Sequence, residues 1–302
     1  MKRSLGNGLI ALAAGLGIVL MLQACDRHEA GDGLKGIVAT QLRKSRLVTQ
    51  MLGDLLASVE AEKNAIVAGS DADSENFAAK AKALAEKVGQ ERQELLAAYA
   101  DDHAGPEAKL LNEFSAAWEE FLAIDKELLG QAVLNTNLKA YRISASQAVQ
   151  SFEDFERAIR QTVQLSTQSE AIGAIAEHGL LALGMTAKIL AMQAPHIAEA
   201  SDAKMDEMER EMAAYAKAAR DALAAMRTLV TGQGLETLQA ACAAFEAFEV
   251  VQTEVIRLSR INSNVKALAL SMGLKRRVAA RCEELLETLR ETIDTRLSKA
   301  TR

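Results

Sequence analysis

A six-residue stretch occurs twice in the chain, as Asn135-Thr-Asn-Leu-Lys-Ala140 and as Asn262-Ser-Asn-Val-Lys-Ala267. The two copies are offset by 127 residues (262 minus 135). Identical or chemically similar residues recur at the same offset on both sides of the stretch. These aligned pairs are Trp118 with Phe245, Glu119 with Glu246, Phe121 with Phe248, Glu127 with Glu254 and Ser144 with Ser271. The alignment indicates one helical unit duplicated in tandem.

The composition of the chain favours helix almost throughout. The 302 residues include only two Pro, and aromatic residues make up 4%. Ala, Leu, Glu, Lys, Gln and Arg dominate, and these residues have favourable helix propensities. We therefore expect an all-α fold. The net charge of −6 speaks against nucleic-acid binding, and no Lys/Arg block in the sequence resembles a phosphate-tracking surface.

The apolar periodicity predicts two tandem up-down four-helix bundles, one for each copy. Apolar residues recur at three- and four-residue steps, as in Phe152, Phe155 and Ile159. The expected boundaries are 25–33 for a polar tether, 34–168 for the first bundle and 169–302 for the second. A tight turn near 164–170 favours bundles packed side by side as a pseudo-dimer. A continuous helix there favours bundles stacked end to end, and both arrangements remain open.

The N-terminus has the order of a secretory signal. Met1-Lys2-Arg3 is a basic start, residues 9–22 are apolar, and Leu22-Gln-Ala-Cys25 follows. A cysteine directly after a small residue resembles the lipobox of bacterial lipoproteins, in which the thiol carries a diacylglyceryl group. We therefore expect a signal peptide at 1–24 and lipidation of Cys25. The alternative is an uncleaved signal anchor, for which the apolar run is short.

The lipobox resemblance implies a location. Multiple acyl chains on Cys25 would hold the protein stably at the periplasmic face of a bacterial membrane. Asp26 directly after the cysteine resembles the signal that retains enteric-type lipoproteins at the inner membrane. The expected partners are therefore the membrane itself and a membrane-bound protein.

The two remaining cysteines fall at matching places in the last predicted hairpin. If the chain reverses at Asn262, residues whose numbers add up to 524 lie at the same height on neighbouring helices. Cys242 and Cys282 satisfy that condition, and an exported protein meets an oxidising compartment. We expect a Cys242–Cys282 disulfide, with two buried thiols as the alternative.

Three stretches carry a resemblance to a known family. They are Glu60-Ala-Glu-Lys-Asn-Ala-Ile66, the helix with Trp118 and Phe121, and the repeated Asn-x-Asn-x-Lys-Ala. Together they resemble the four-helix-bundle ligand-binding ectodomain of methyl-accepting chemotaxis receptors. Such receptors continue into a second transmembrane helix, a HAMP linker and a signalling hairpin. We expect no membrane span after Cys25, and hence a sensor ectodomain that acts through a separate signalling protein.

The resemblance implies a small organic acid or amino acid as ligand, held by Arg or Lys side chains. The candidate ligand-binding residues are Arg43, Arg46, Lys139, Arg142, Lys266, Arg276 and Arg277. The alternative for each is a solvated charged helix face. Asn135, Asn137, Asn262 and Asn264 are expected first as turn and cap residues.

No pattern of residues in the sequence indicates an enzyme, a cofactor or a metal centre. The four His have no i, i+4 pairing, and no Cys-x-x-Cys-His occurs for covalent haem. Two function classes remain. One is a lipid-anchored periplasmic ligand sensor, and the other is a structural or adaptor lipoprotein that contacts other proteins through its helical faces.

Overall fold

The computed structural model describes residues 29–99 and 105–301, and within them every element of regular structure is helical. The expectation of an all-α helical-bundle fold is confirmed. The expectations for the signal peptide, Cys25 and Asp26 fall on residues that lie outside the described part of the chain.

The first copy forms three long helices and one interrupted helix. These are α1 (Glu29–Val67), α2 (Asp71–Ala97), α3 (Pro106–Ala132) and the series α4 (Thr136–Ile143), π1 (Ser144–Ala148) and α5 (Val149–Leu165). Because α1 begins at Glu29, the described part of the expected tether is helical. The glycines there cost only about 1 kcal/mol each in a helix, and no proline interrupts the stretch.

The second copy repeats this series. Its elements are α6 (Ile172–Ala198), α7 (Asp202–Leu229), α8 (Gln233–Ile261), α9 (Ser263–Leu270), π2 (Ser271–Lys275) and α10 (Arg276–Ala300). Both π-helical segments begin at the aligned serines, Ser144 and Ser271. The chain leaves the helix between residues 166 and 171, which excludes a continuous helix from α5 into α6.

The chain divides into two compact units that draw on both copies. Unit 1 contains the described residues of Met1–Ala57, Ala83–Glu119 and Val278–Arg302, and unit 2 contains Ser58–Lys82 and Glu120–Arg277. In unit 1, Phe114 and Trp118 stack with their ring centroids 5.9 Å apart. Other fully buried apolar side chains of unit 1 include Val48, Met51, Leu95, Leu111, Leu286 and Leu289.

Unit 2 contains a bundle in which α4 and α5 pack along α8 while α6 packs along α7. The α5–α8 pair is antiparallel. Phe155 lies against Phe245 with 5.5 Å between ring centroids, and Thr162 Oγ1 lies 2.9 Å from Thr237 Oγ1. Residue numbers therefore rise along α5 as they fall along α8.

The structure does not contain the expected disulfide. Cys242 is a free thiol on α8 in unit 2, and Cys282 is a buried residue of α10 in unit 1. The expectation assumed that the chain folds back at Asn262 and sets α8 against α10. Instead α8 packs along α5, and Cys242 lies beside the core cluster that includes Phe155 and Phe245.

We expected no segment after Cys25 that is long and apolar enough to span a membrane. By length and composition alone, that expectation is wrong. Helix α6, Ile172–Ala198, is long and apolar enough by that test, with a mean hydropathy of 1.3 over its most apolar window. Only 28% of that window is buried. A large part of an apolar helix is therefore exposed.

Candidate functional site

The repeated Asn-x-Asn stretch lies at two breaks between helices. Asn135 has φ 50° and precedes α4, and Asn262 has φ 58° and precedes α9. Asn adopts this left-handed conformation more readily than other residues with a side chain. Each asparagine therefore ends one helix and lets the next begin within a few residues.

The two copies of the stretch bond to each other reciprocally. The Thr136 amide donates to Ser263 Oγ and the Ser263 amide donates to Thr136 Oγ1, both at 3.1 Å. The Asn137 amide donates to Asn264 Oδ1 at 3.2 Å, and the Asn264 amide donates to Asn137 Oδ1 at 3.1 Å. The first amides of a helix have no partner inside that helix. Here each copy supplies the partners for the other.

The asparagine side chains also fasten neighbouring backbone. Asn137 Nδ2 donates to the Ile197 carbonyl at 2.6 Å and to Asn262 Oδ1 at 2.7 Å. Asn262 Nδ2 donates to the Glu199 carbonyl at 2.8 Å, and Asn264 Nδ2 donates to Asn135 Oδ1 at 3.0 Å. The four asparagines are thus used for contacts within unit 2.

The candidate ligand-binding cations lie at surface positions. Lys139 Nζ donates to the Leu134 carbonyl at 2.9 Å, and Lys266 Nζ donates to the Ile261 carbonyl at 2.8 Å. Each lysine caps the end of the preceding helix. Arg142 donates to the Gly69 carbonyl, and Arg43 lies 3.5 Å from Glu94. Arg43, Arg46, Arg142, Lys266, Arg276 and Arg277 are all exposed.

A buried charged cluster lies in unit 2, which we call the charged layer and define as Glu62, Asp125, Ser271 and Lys275. Lys275 Nζ lies 2.5 Å from Asp125 Oδ1 and 4.0 Å from Glu62 Oε2. It also lies 3.1 Å from the centroid of the Phe121 ring. All four residues of the layer are buried. An ammonium group is thus held between two carboxyl groups inside the bundle.

The carboxyl group of Glu62 is the least satisfied member of the charged layer. Both of its oxygens are buried, and neither has a hydrogen bond of ordinary geometry among the described residues, although the Ser271 hydroxyl lies close enough to lower the pKa of Glu62. Burial raises the pKa of Glu62 above its ordinary value, and Ser271 and Lys275 oppose that rise only in part. Desolvation disfavours the charged form of a carboxyl group. Glu62 therefore holds a proton to a higher pH than an exposed glutamate does.

A second polar cluster occupies equivalent positions with the two copies exchanged. We call it the neutral layer and define it as Ser144 of the first copy with Gln193, Met212 and Gln252 of the second. Ser144 Oγ donates to Gln193 Oε1 at 2.5 Å, Gln193 Nε2 donates to Gln252 Oε1, and Gln252 Nε2 lies 2.8 Å from Met212 Sδ. This layer is a chain of neutral hydrogen bonds.

The two layers are equivalent by sequence. Ser144 and Ser271 each begin a π-helical segment, and Lys275 and Ala148 each end one. Gln252 follows Asp125 at the offset of 127 residues. Glu62 and Gln193 each lie five residues before the end of a helix, at Val67 and Ala198. Each layer combines side chains of both copies, and the two layers have diverged so that one is charged and the other is neutral.

Another polar cluster joins three helices of unit 2. His196 Nδ1 lies 2.6 Å from Ser259 Oγ, and His196 Nε2 lies 2.9 Å from Glu209 Oε1. Arg260 Nε donates to the same Glu209 oxygen at 2.6 Å, and Arg260 together with His196 lowers the pKa of Glu209. Ser259 is fully buried and its hydroxyl also donates to the Ile256 carbonyl at 3.1 Å. The cluster therefore fastens α6, α7 and α8 and offers no accessible nucleophile.

A surface cavity of about 150 Å³ lies beside Cys242, with Arg227 and Glu246 also in its lining. Burial raises the pKa of the Cys242 thiol, although Arg227 lowers it slightly. Sites for small metabolites have volumes of about 300–1,000 Å³. This cavity is too small to hold such a ligand without rearrangement.

In unit 1 a second buried lysine shares a carboxylate with other groups. Glu107 Oε2 accepts from Tyr99 OH at 2.7 Å and lies 3.8 Å from Lys44 Nζ. Glu107 Oε1 lies 3.1 Å from Arg296 NH1. Lys44 Nζ lies 3.5 Å from the centroid of the Tyr99 ring. The fully buried Glu107 thus holds two cations near the start of α3.

Sequence reasoning missed both buried lysines, although each lies beside a residue that it selected. Lys44 lies between the candidates Arg43 and Arg46, and Lys275 directly precedes Arg276 and Arg277. The spacing of residues along each helix could have identified both lysines as buried. Lys44 shares a face with the buried residues Val48, Met51 and Leu55, and Lys275 shares one with Ser271, Val278 and Cys282. A lysine on a buried stripe points to a charged partner.

The charged layer predicts an asymmetric mutational response. Lys275→Met should destabilise the protein by about 3–5 kcal/mol, because it leaves Asp125 buried without a counter-ion. The double variant Lys275→Met/Asp125→Leu should recover most of that loss, because an apolar pair of similar volume removes both charges. Urea denaturation followed by circular dichroism measures these free energies of unfolding. Arg277→Met, at an exposed position, is the control and should change stability by less than about 0.5 kcal/mol. Additive losses in the double variant would contradict the pairing.

The raised pKa of Glu62 predicts a pH-dependent contribution to stability. The folded state binds the proton of Glu62 more tightly than the unfolded state does, so its contribution is complete below the ordinary pKa of 4.5 and is lost as pH rises above that value. Relative to Glu62→Gln, the wild type should therefore lose stability as the pH rises above 4.5, until Glu62 also ionises in the folded state. Urea denaturation at several pH values measures the difference. Glu60→Gln, at an exposed position of the same helix, should show no such trend. A wild-type-to-Glu62→Gln difference that is constant with pH would rule the effect out.

Comparison with known proteins assigns no family to the chain. No protein-family model matches it, and no curated protein matches it.

Proposed function

We propose that the protein is a lipid-anchored periplasmic sensor, which binds a small molecule within its helical bundle and acts through a membrane-bound signalling partner. The observation that carries this proposal is the charged layer of Glu62, Asp125, Ser271 and Lys275. Burying an ion pair costs several kcal/mol per charge and adds little net stability. A bundle that needs only stability is better served by apolar side chains or by the hydrogen bonds of the neutral layer.

The position of the charged layer supports a role in a conformational response. Lys275 ends π2, and π-helical turns are frequent at functional sites because they leave backbone hydrogen bonds irregular. Twelve residues upstream of Lys275, α9 begins at Ser263, one of the residues that cap α4 across the repeat. A rearrangement of Lys275 therefore has a short covalent path to the contact between the two copies.

The chemistry of the charged layer favours an amino acid or a small organic acid as the ligand. Lys275 offers a cation for a ligand carboxylate, and Glu62 offers a carboxyl group whose two oxygens lack hydrogen bonds of ordinary geometry among the described residues. A ligand with both a carboxylate and an ammonium group could pair with both. Binding would require the bundle to open locally, at a cost that the ligand contacts must offset.

A second candidate function is that of a structural or adaptor lipoprotein without a small-molecule ligand. It is favoured by large apolar side chains that are exposed near the junction, which is our name for the reciprocal contact between residues 135–137 and 262–264. Tyr141, Leu268 and Met272 have 57%, 48% and 57% of their surface exposed. Exposed apolar residues of this size are common at protein contacts.

A thermal-shift screen with amino acids, organic acids and aromatic acids separates the two candidates. Binding to the folded state raises the melting temperature by mass action, so the sensor proposal expects at least one stabilising compound. The shift should disappear in Lys275→Met/Asp125→Leu. It should persist in Gln252→Leu, which alters the equivalent position of the neutral layer. A flat screen on the wild type favours the adaptor. A shift that persists in the double variant places the ligand elsewhere.

The membrane anchor has its own test. Expression in a bacterium should place the wild-type protein in the membrane fraction and allow metabolic labelling with a fatty acid. Cys25→Ser should abolish the label, because the serine hydroxyl does not replace the thiol that carries the lipid. Cys242→Ser is the matched control and should remain labelled. Equal labelling of Cys25→Ser and the wild type would refute lipidation at Cys25.

A further inference from the structure

The exposed side of α6 has the spacing of a helix-pairing seam. The residues Ala174, Glu177, Leu181, Gly184, Lys188, Ala191 and Pro195 follow one another at alternating steps of three and four, and all are exposed. Leu180, beside this seam, has 70% of its surface exposed. Alternating steps of three and four keep residues on one side of a helix and form the contact line of coiled coils. We call these seven residues the α6 seam.

We propose that the α6 seam is an interface between two copies of this chain, in which the two α6 helices pack antiparallel about a twofold axis. An apolar helix that buries only 28% of its most apolar window leaves a surface that water solvates poorly. A second copy offers the same seam, and a twofold interface requires a surface that complements itself.

The charges on the α6 seam select the antiparallel orientation. Glu177 and Lys188 lie at equal distances on either side of the midpoint between Leu181 and Gly184. In an antiparallel pair, each Glu177 therefore meets Lys188 of the other copy, twice per dimer. In a parallel pair each Glu177 would meet another Glu177, which like-charge repulsion disfavours.

The shape of the α6 seam fits the same axis. Leu181 is 42% exposed, and a Cβ added at Gly184 would meet nothing within 4 Å. About the midpoint that pairs Glu177 with Lys188, each Leu181 lies against Gly184 of the other copy. The flanking contacts join Ala174 with Ala191. Small residues of this kind let helices approach to about 8 Å.

The seam is particular to α6 rather than a general result of building a helical bundle. At the same distances from the end of α1, the positions of Ala174, Glu177 and Leu181 are taken by Arg43, Arg46 and Gln50, which are also exposed. The first copy thus presents a solvated basic side where the second presents an apolar one.

A lipid surface is the competing occupant, and the seam charges argue against it. Glu177 and Lys188 lie on the same outward side as the leucines, and charged groups at the centre of a bilayer cost about 2.5–3.5 kcal/mol or more. One helix pair buries less surface than a standard interface of about 1,600 Å². The dimer should therefore be reversible and depend on protein concentration.

Sedimentation equilibrium on the full chain carrying Cys25→Ser tests the proposal, since all variants then share the same N-terminus and lack acyl chains. With the seam unchanged, the protein should form a dimer whose fraction increases with protein concentration. Glu177→Lys and Lys188→Glu should each raise the dissociation constant about tenfold or more, because each creates two like-charge contacts. The double variant Glu177→Lys/Lys188→Glu should restore the dimer, because it exchanges the partners of both ion pairs. Glu211→Lys, at an exposed position of α7, is the control for a general effect of charge.

Three outcomes would overturn the proposal. The first is a monomer at every concentration. The second is a dimer that the single reversals leave unchanged. The third is a double variant that remains as weak as the single ones. A monomer that co-sediments with vesicles of neutral phospholipid, and loses this binding in Leu181→Glu, would assign the surface to the membrane instead.

Discussion

The reciprocal capping between Thr136 and Ser263 and between Asn137 and Asn264 is the constraint on which unit 2 depends. Four backbone amides at two helix starts receive side-chain acceptors from the other copy of the repeat. Buried amides without acceptors cost about 1–3 kcal/mol each, so neither helix start is well formed alone. The contact is only available if both breaks adopt the left-handed conformation, and asparagine provides this at Asn135 and Asn262. A duplicated sequence thereby becomes a matched pair of surfaces within one chain.

Once the junction is fixed, the polar layers on the helices beyond it can diverge without losing register. The neutral layer is satisfied by hydrogen bonds among Ser144, Gln193 and Gln252. In the charged layer, neither oxygen of Glu62 has a hydrogen bond of ordinary geometry among the described residues. The Lys275 ammonium group pairs with Asp125 instead. Because the neutral version shows that the fold accommodates a fully bonded alternative, the charged version is hard to explain by stability alone. This comparison inside one chain is the strongest physical argument for a function at Lys275.

The sequence predicted much of this architecture because helix propensity, turn residues and the repeat all act locally. The composition implied an all-α bundle, and the Asn-x-Asn stretch lies at the two helix breaks. The Cys242–Cys282 disulfide failed because it needed a long-range assumption, namely that α8 faces the helix that follows it. The structure sets α8 against α5, as the Phe155–Phe245 contact shows. Which helix packs on which is decided by the summed fit of whole faces, and that information is not carried by any single turn.

The two buried lysines were missed for a related reason. Arginine and lysine were selected for their charge, and the residues selected, such as Arg43 and Arg276, lie on solvated faces. A buried cation in a bundle lies on the apolar stripe of its helix, where a charge is costly unless it is paired. Lys44 and Lys275 satisfy that condition, each one residue from a selected arginine. Charge type and helical phase must therefore be read together to find a buried cation.

The interior and the surface of the chain differ between the two copies in a complementary way. The first copy supplies Glu62 and Asp125 to the charged layer and keeps the exposed side of α1 basic with Arg43 and Arg46. The second copy has neutral glutamines at the equivalent core positions and an apolar exposed side on α6.

On the two proposals, ligand chemistry and self-association therefore lie on different elements, with the reciprocal caps of unit 2 between them. A ligand that displaces Lys275 would disturb π2 and α9 first, and α6 lies within contact of that junction through the bond from Asn137 to the Ile197 carbonyl. The junction would then couple ligand binding to dimer formation, because α6 carries the proposed dimer interface and its C-terminal end bonds to Asn137.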